Sequence, residues 1–284
     1  MLMSIPQYAK LLVKLFLDRR AYRGRSEFSF GLPVPSGGYY RFKVKAPGFR
    51  RTIALRRGTS DLATCRQVFG GNEYNLRRLA RWDEILTLYA RIDRPLILDL
   101  GANIGLATLY FAKNWPKAHI VAVEPDGANF QVMHANLDGL PNVKLVNAAA
   151  ASEDGAVEII NPDDSAWALR TAKVDSIGPR SIPALSVKHL TDLVPDATPF
   201  IAKIDIEGFE DDLFSQNIEW VKAFPIIIIE LHDWMLPRQA TSNNFLRAIA
   251  NERRDFLTVG ENVILMANGE DETGRSTRRR GDLA

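Results

Sequence analysis

The sequence predicts an α/β fold in which helices cover both faces of a doubly wound, mostly parallel sheet. Five apolar runs of strand length recur along the chain, at residues 96–100, 120–123, 143–146, 200–206 and 225–231. Strands that are buried on both faces read as continuous apolar runs, whereas half-exposed strands alternate apolar and polar residues. Segments with helical periodicity lie before and between these runs, at residues 74–89, 103–113, 127–138 and 209–220. This alternation of strand and helix is typical of parallel α/β sheets.

The C-terminal part of the chain adds an antiparallel element to this sheet. A helical pattern near residues 241–251 precedes two short apolar runs at 256–259 and 263–266, which a Gly-Glu-Asn turn separates. Such runs around a short turn predict an antiparallel strand pair. We therefore expect one domain over residues 58–267, followed by a polar, disordered tail at 268–284.

The N-terminal part predicts a basic extension over residues 1–57. Alternating runs at 40–45 and 51–56 flank a Pro-Gly pair and predict a β-hairpin. Apolar residues at helical spacing within 5–16 predict an amphipathic helix. Two interpretations of this helix stay open: residues 1–25 contact an anionic membrane surface, or the helix docks its apolar face on the protein's own core.

Composition excludes several classes of protein. The chain has 284 residues, of which 46% are hydrophobic and 25% charged, so a wholly disordered, fibrous or membrane-spanning chain is excluded. The net charge of +2 conceals a basic front, because residues 1–60 hold 13 Lys and Arg but only 2 Asp and Glu. A nucleic-acid partner is disfavoured, since the hairpin lacks interleaved exposed aromatic residues. A single cysteine, Cys65, cannot form an internal disulfide, which favours a cytoplasmic location.

A glycine turn follows the first predicted strand, and it predicts a cofactor site. Ligands of open parallel sheets bind beyond the carboxyl ends of the strands, and the turn places Asp99, Gly101, Asn103 and Gly105 there. The spacing does not complete the G-x-G-x-x-G pattern of dinucleotide binding. It suits S-adenosylmethionine, which has no phosphate groups to bind, and these four residues are the first candidate cofactor ligands.

The next two strands supply further cofactor ligands. Glu124 lies at the tip of the second strand, where an acidic side chain accepts hydrogen bonds from both hydroxyls of a ribose. The alternative for Glu124 is a carboxylate that stabilises the start of the following helix. Asn147 and Ala148 follow the third strand, and small side chains at Ala148 and beyond leave room for an adenine ring.

The ends of the fourth and fifth strands predict the reacting site. Alternation along a strand puts Asp205 on the same side as Glu207, and Glu230 on the same side as His232. In one hypothesis His232 is a general base whose ring Asp205 or Glu230 orients. In the other, Asp205, Glu230 and His232 hold a divalent ion. The spacing has no defined metal signature, so we favour the base and predict no metal.

Three more residues near this site have weaker assignments. Glu210 is interpreted as a negative charge in the first turn of a helix, where it is favourable for structural reasons alone. Trp234 and Trp167 lie in loops and are expected either to wall an acceptor pocket or to pack in the core.

Four motifs together resemble the FkbM-type methyltransferase family. They are DLGANIG at 99–105, VEP at 123–125, KIDIEGFE at 203–210 and IELH at 229–232. The resemblance covers about 58–267 and implies a class I, Rossmann-like, S-adenosylmethionine-dependent O-methyltransferase that acts on hydroxyls of sugars, glycans or secondary metabolites. Two other readings stay open: an NAD(P)-dependent reductase, and a non-catalytic anion-binding protein on the same scaffold.

Overall fold

The computed structural model describes residues 26–160, 171–173, 178 and 181–269. The predicted N-terminal helix, Trp167 and the predicted tail beyond residue 269 lie outside these residues. Within the described ranges, no helix has both the length and the apolar character that crossing a bilayer requires.

The strands and helices alternate through most of the chain. The strands are β1 (Ser29–Phe30), β2 (Val34–Ser36), β3 (Tyr39–Ala46), β4 (Phe49–Arg56), β5 (Pro95–Leu100), β6 (His119–Val123), β7 (Val143–Val146), β8 (Ala149–Ala151), β9 (Gly155–Ile159), β10 (Thr171–Lys173), β11 (Ile182–Ser186), β12 (Thr198–Ile204), β13 (Ile226–Glu230), β14 (Arg254–Val259) and β15 (Asn262–Ala267). The helices are α1 (Asp61–Cys65), α2 (Trp82–Arg91), α3 (Leu106–Asn114), α4 (Gly127–Leu137), α5 (Val187–Asp192), α6 (Glu210–Leu213), α7 (Trp220–Ala223) and α8 (Asn243–Ile249). A π-helical turn (Arg66–Gly70) continues α1, and a 3-10 turn (Leu76–Arg78) precedes α2.

The central sheet confirms the predicted fold class. Its order is β14-β15-β13-β12-β5-β6-β7, with β13, β12, β5, β6 and β7 mutually parallel and β14 and β15 antiparallel. Every residue of β5 is buried, as the unbroken apolar run predicts. Its side chains alternate between two cores: Leu96 and Leu98 pack in one, and Ile97 packs in the other on the opposite face.

The strand order reverses between β5 and β12, and this reversal creates the space for a site. The chain runs from β5 to β6 and β7 on one side and then returns to β12 on the other. The loops after β5 and β12 touch at Gly101, which has a φ of +76°. A Cβ atom there would lie 1.7 Å from the carbonyl oxygen of Asp205. Only glycine allows this approach, so Gly101 joins the two strand ends.

The predicted hairpin is formed by β3 and β4, which pair from Tyr39 with Arg56 to Ala46 with Phe49. Its inner face packs into the core that also holds Ile97 of the central sheet, through Phe42, Val44, Ile53 and Leu55. Asn136 of α4 fastens it further, since its side chain exchanges two hydrogen bonds with the backbone of Ala54, at 2.7 and 3.2 Å. The hairpin therefore packs against the central sheet and shares its core.

Two predicted helices are interrupted. The helix predicted at 74–89 begins instead as the 3-10 turn, which the side chain of Asn75 caps, and a new helix starts at Trp82. The helix predicted at 209–220 is two short helices, α6 and α7. In the segment between them, Asn217 adopts a φ of +53° and donates a hydrogen bond to the carbonyl oxygen of Ser152. In both places an asparagine side chain bonds the backbone outside a helix.

Two four-stranded sheets accompany the central sheet among the described residues: β1 to β4 form one, and the other has the order β10-β9-β11-β8. The sequence analysis did not predict this sheet as a unit. Its strands are only three to five residues long, which gives little periodicity to detect.

We predict that Phe42→Ala destabilises the whole domain. Phe42 is 1% exposed, so its truncation removes about 3–5 kcal/mol of unfolding free energy. Because the hairpin and the sheet share a core, the loss will be seen in one transition when denaturant unfolding is followed by tryptophan fluorescence and circular dichroism. Tyr39→Ala, at a position 38% exposed, is the control and should change little. A separate early transition would show that the hairpin unfolds on its own.

Candidate active site

A cleft opens at the carboxyl ends of β5, β6 and β12, where the strand order reverses; we call it the switch-point cleft. The residues that line it are Gly101, Asn103, Glu124, Pro125, Asn129, Ala149, Ala150, Thr171, Asp205, Ile206, Glu207 and Phe209. None of these described lining residues is Lys or Arg. The cleft therefore offers carboxylates, small side chains and one aromatic ring, but no group that would neutralise a phosphate.

Glu124 is the buried carboxylate of this cleft. Its Oε2 accepts a hydrogen bond from the backbone N–H of Asn103 at 2.8 Å. Its Oε1 accepts from the N–H of Asp126 at 2.9 Å and from Nδ2 of Asn129 at 3.3 Å. Burial raises its pKa to about 7 despite these bonds. Three of the roughly four acceptor positions of the carboxylate are filled, so one remains toward the cleft.

Three predicted cofactor ligands have structural contacts instead. Asp99 is fully buried: it accepts a hydrogen bond from Thr108 Oγ1 at 2.6 Å and pairs with Lys203 Nζ at 3.1 Å. Gly105 allows helices α3 and α4 to pack, since a Cβ there would lie 2.9 Å from Leu137. Asn147 donates to the carbonyl oxygen of Glu124 at 2.8 Å and thus braces the loop after β6.

Ala148, beside which space for an adenine ring was expected, does not line the cleft. Ala148 lies in the two-residue link between β7 and β8, is 1% exposed and packs in the core. The small side chains that line the cleft are the next two, Ala149 and Ala150. The adenine contact at Asn147 and Ala148 stays a prediction, and the cleft itself is lined by their two successors along the chain.

A second cavity, of about 310 Å³, adjoins the switch-point cleft and shares Asn103, Asp205 and Glu207 with it. We call it the acidic pocket. Its described lining residues are Ser60, Ala63, Thr64, Gln67, Val68, Glu73, Tyr74, Asn103, Asp205, Glu207, Glu230, Trp234 and Glu261. Five of these are carboxylates, and none is Lys or Arg. Trp234 is 63% exposed and is the indole among these lining residues; of the two expectations for it, its place in the lining favours the pocket wall.

His232 lies behind the carboxylates of the acidic pocket. It is 2% exposed, and its Nε2 lies 3.6 Å from Asp205 Oδ1, 3.3 Å from Glu207 Oε2 and 3.8 Å from Glu230 Oε1. The strand-end residues predicted to converge are therefore together. The ring contact expected from Asp205 or Glu230 is made instead by Glu210, whose Oε1 lies 2.8 Å from Nδ1.

The charged groups around His232 raise the pKa of its imidazole. Burial alone would lower its pKa, but the hydrogen bond to Glu210 and the charges of Glu210, Asp205 and Glu207 raise it to about 9. The imidazole therefore carries a positive charge at neutral pH in the protein alone. A direct role as the first proton acceptor, which the sequence suggested, fits this state poorly.

The pocket carboxyls hold protons more strongly than usual. Burial, followed by the nearby charge of Asp205, raises the pKa of Glu207 to about 9, of Glu230 to about 8 and of Glu73 to about 7. Lys203 pairs with Asp99 and Asp205, at 3.1 and 3.6 Å, so it compensates only the innermost of these charges. The site thus has more carboxyl groups than cations.

Two groups of side chains in this region have the spacing of metal ligands. One is Asp205, Glu207 and His232; the other is Glu73, Glu230 and Glu261. Within each group the possible ligand atoms lie within 4.8 Å of one another. The first group resembles the set that the sequence proposed for a divalent ion, with Glu207 in the place of Glu230.

Fold and site together define the class of protein. A seven-stranded sheet with an antiparallel end, a carboxylate at the tip of the second parallel strand and an acidic strand end at the switch point are the parts predicted for a methyltransferase. A family model described as the methyltransferase FkbM domain matches residues 99–257. The chain belongs to this family of methyltransferases.

Curated relatives share this assignment. Methyltransferase sdnD of Sordaria araneosa is 38% identical over 70 residues, which are 24% of this chain and 27% of the relative. Hexuronic acid methyltransferase AglP of Haloferax volcanii is 25% identical over 149 residues, 52% of this chain and 61% of the relative. The chain thus spans less than two thirds of each. A solved structure of SAH-bound methyltransferase PaMTH1 from Podospora anserina superposes with a TM-score of 0.38 and 14% identity, over 72% of this chain and 84% of that one.

We predict that the unliganded protein becomes less stable between about pH 6 and pH 9. A group whose pKa is raised on folding stabilises the protein below its unfolded pKa, and this contribution is lost as pH rises through the folded value. Glu73, Glu124, Glu207, Glu230 and His232 all shift upward, to between about 7 and about 9. Thermal unfolding will show a melting temperature several degrees lower at pH 9 than at pH 6.

Glu207→Gln should reduce this pH dependence, because it removes the ionisation of one buried carboxyl. Glu219→Gln is the matched control, since Glu219 is exposed and lies outside both cavities. A melting temperature that rises from pH 6 to pH 9 would contradict the charge arrangement described above.

Proposed function

We propose that this protein transfers a methyl group from S-adenosylmethionine to a hydroxyl of a sugar, a glycan or a secondary metabolite. The observation that carries the proposal is the wall shared by the two cavities. Asp205 and Glu207 line both the switch-point cleft and the acidic pocket. A donor in the first cavity and an acceptor in the second would meet at these carboxylates.

The residues of the switch-point cleft fit S-adenosylmethionine better than a dinucleotide. Glu124 keeps an acceptor position for ribose hydroxyls, and Ala149, Ala150 and Phe209 offer an apolar wall to the adenine. The carboxylate of Asp205 provides negative charge for a sulfonium ion. A pyrophosphate would find carboxylates and no cation among the described lining residues, which argues against the reductase.

When bound, S-adenosylmethionine supplies a methyl group already activated by positive sulfur, so the protein has to align the acceptor and receive its proton. Asp205 is placed to receive that proton, because its carboxylate lies between the two cavities. His232 contacts Asp205 from the protein side, at 3.6 Å, and is too deeply buried to meet the acceptor first. We therefore assign the proton acceptor to Asp205 and the supporting charge to His232.

The acidic pocket also favours certain acceptors over others. Trp234 offers an indole face on which a sugar ring can pack. Its five carboxyl groups, with no Lys or Arg among the described lining residues, leave a carboxylate on the acceptor without a cationic partner, which disfavours such an acceptor. The acceptor of this chain therefore differs in charge from the hexuronic acid named for the archaeal relative.

We predict that Asp205→Asn lowers methyl transfer more than tenfold, since the amide cannot accept a proton. Its affinity for S-adenosylhomocysteine, which lacks the sulfonium charge, should stay within about threefold of wild type. Incorporation of labelled methyl groups is measured by mass spectrometry in a small-molecule extract of the source cells, and affinity is measured by calorimetry. Glu219→Gln, which is remote from both cavities, is the control.

Two results would contradict this assignment. Thermal stabilisation by NAD(P)H and not by S-adenosylmethionine would overturn the donor. Activity lost on treatment with EDTA and restored by Mg²⁺ would assign Asp205, Glu207 and His232 to a metal ion instead of to proton transfer.

We predict that a carboxylate on the acceptor weakens binding at least about tenfold relative to a neutral sugar, a difference of about 1.4 kcal/mol. Three probes test this: the methyl glycosides of glucose, glucosamine and glucuronic acid, titrated into protein loaded with S-adenosylhomocysteine and followed by NMR. Glu73→Gln and Glu261→Gln should reduce the discrimination, whereas Glu219→Gln should leave it unchanged. Equal or tighter binding of the glucuronide would contradict the charge argument.

A further inference from the structure

Glu210 is a charged residue that the proposed reaction does not yet use. It is the first residue of α6, is 0% exposed, and lines neither cavity. Its Oε1 lies 2.8 Å from His232 Nδ1 and accepts a longer hydrogen bond from the backbone N–H of Gly208 at 3.3 Å. Its Oε2 is buried and has no hydrogen-bond partner among the described residues.

A structural role at the start of the helix does not account for Glu210. The helix has only four residues and already carries Asp211 and Asp212 in the same turn. Asp212 in this turn has a cation of its own, since it pairs with Lys173 of β10 at 2.8 Å. Burying a carboxylate without a cationic partner costs free energy. The cationic group that contacts Glu210 is the ring of His232.

The bond to Glu210 decides which ring nitrogen of His232 faces the site. With the Nδ1 proton donated to Glu210, Nε2 is directed at Asp205, Glu207 and Glu230. A ring released from Glu210 could turn about its χ2 angle and withdraw from Asp205. The charge of Glu210 also favours the imidazolium form of His232. The positive ring then faces Asp205, which lines both cavities.

We propose that Glu210 is a positioning residue for methyl transfer, which holds His232 so that its Nε2 supports Asp205 at the junction of the two cavities. This inference rests on the proposed function. It assigns to Glu210 no contact with the donor or the acceptor. Its effect passes through His232 alone, so its loss should alter the reaction step and not the binding of the donor.

The first measurement uses the wild-type protein labelled with ¹⁵N in histidine. NMR should show a downfield Nδ1 proton for His232 and a ring pKa at least about one unit above that of a free histidine. An Nδ1 without a proton, or a ring that titrates like a free histidine, would overturn the inference even if no variant folds.

The second measurement compares Glu210→Gln with wild type and with the control Glu219→Gln. In Glu210→Gln the downfield signal should move upfield, the His232 pKa should fall by at least about one unit, and labelled methyl incorporation should drop more than tenfold. The affinity for S-adenosylhomocysteine should remain within about threefold. Normal incorporation in a folded Glu210→Gln would overturn the inference.

These readouts separate the two proposals. Failure of the wild-type protein to bind S-adenosylmethionine would overturn the proposed function and this inference with it. Normal donor binding and transfer, together with an unbonded His232 Nδ1, would overturn the positioning role of Glu210 and leave the proposed function intact.

Discussion

The buried ion pair between Asp99 and Lys203 sits at the strand-order reversal, and the rest of the site is arranged around it. Lys203 Nζ lies 3.1 Å from Asp99 and also donates a hydrogen bond to the carbonyl oxygen of Gly101 at 2.7 Å. Both charges are almost fully buried, so removing Lys203 would leave Asp99 without this cation in the core. The pair ties the end of β5 to the end of β12, and Gly101 permits their loops to touch. Asp205, one residue beyond β12, is thereby placed between the two cavities.

The balance of charge follows from the same arrangement. Within the part of the site that the structure describes, Lys203 and His232 are cationic, and each pairs with a fully buried carboxylate, Asp99 and Glu210 respectively. The carboxyl groups that line the acidic pocket are left with little compensation, which is why burial raises the pKa of Glu73, Glu207 and Glu230. A positively charged donor would relieve this repulsion, whereas an anionic acceptor would add to it. In the proposed function, the charge of the donor and the charge of the acceptor are therefore linked through these carboxyl groups.

The sequence predicted the sheet and the strand-end residues because both depend on local pattern. Apolar runs define β5, β6, β7, β12 and β13. Asp205, Glu230 and His232 come together because β12 and β13 are parallel neighbours whose carboxyl ends meet at one edge of the sheet, although β12 ends at Ile204 and does not continue to Glu207 as the predicted alternation required. Contacts between segments that are distant in the sequence cannot be predicted from local pattern. Lys203 in an apolar strand was the available signal for the pairing of Asp99, and the sequence analysis did not use it. Glu210 follows Gly208 by two residues and starts a helix, where a negative charge needs no further explanation, so its bond to His232 became visible only in three dimensions.

The acidic pocket shows why the acceptor is harder to predict than the donor. Gln67 in the π-helical turn donates hydrogen bonds to Glu73 at 3.1 Å and to Glu261 in the turn before β15 at 3.0 Å. The side of the acidic pocket formed by Gln67, Glu73 and Glu261 therefore joins segments almost 200 residues apart in the sequence. The family match at residues 99–257 contains Glu124, Asp205 and His232, but it includes neither Gln67 nor the two glutamates that Gln67 bonds. In the proposed function, the shared family region thus provides the donor side, and this chain's own flanking segments shape the acceptor side.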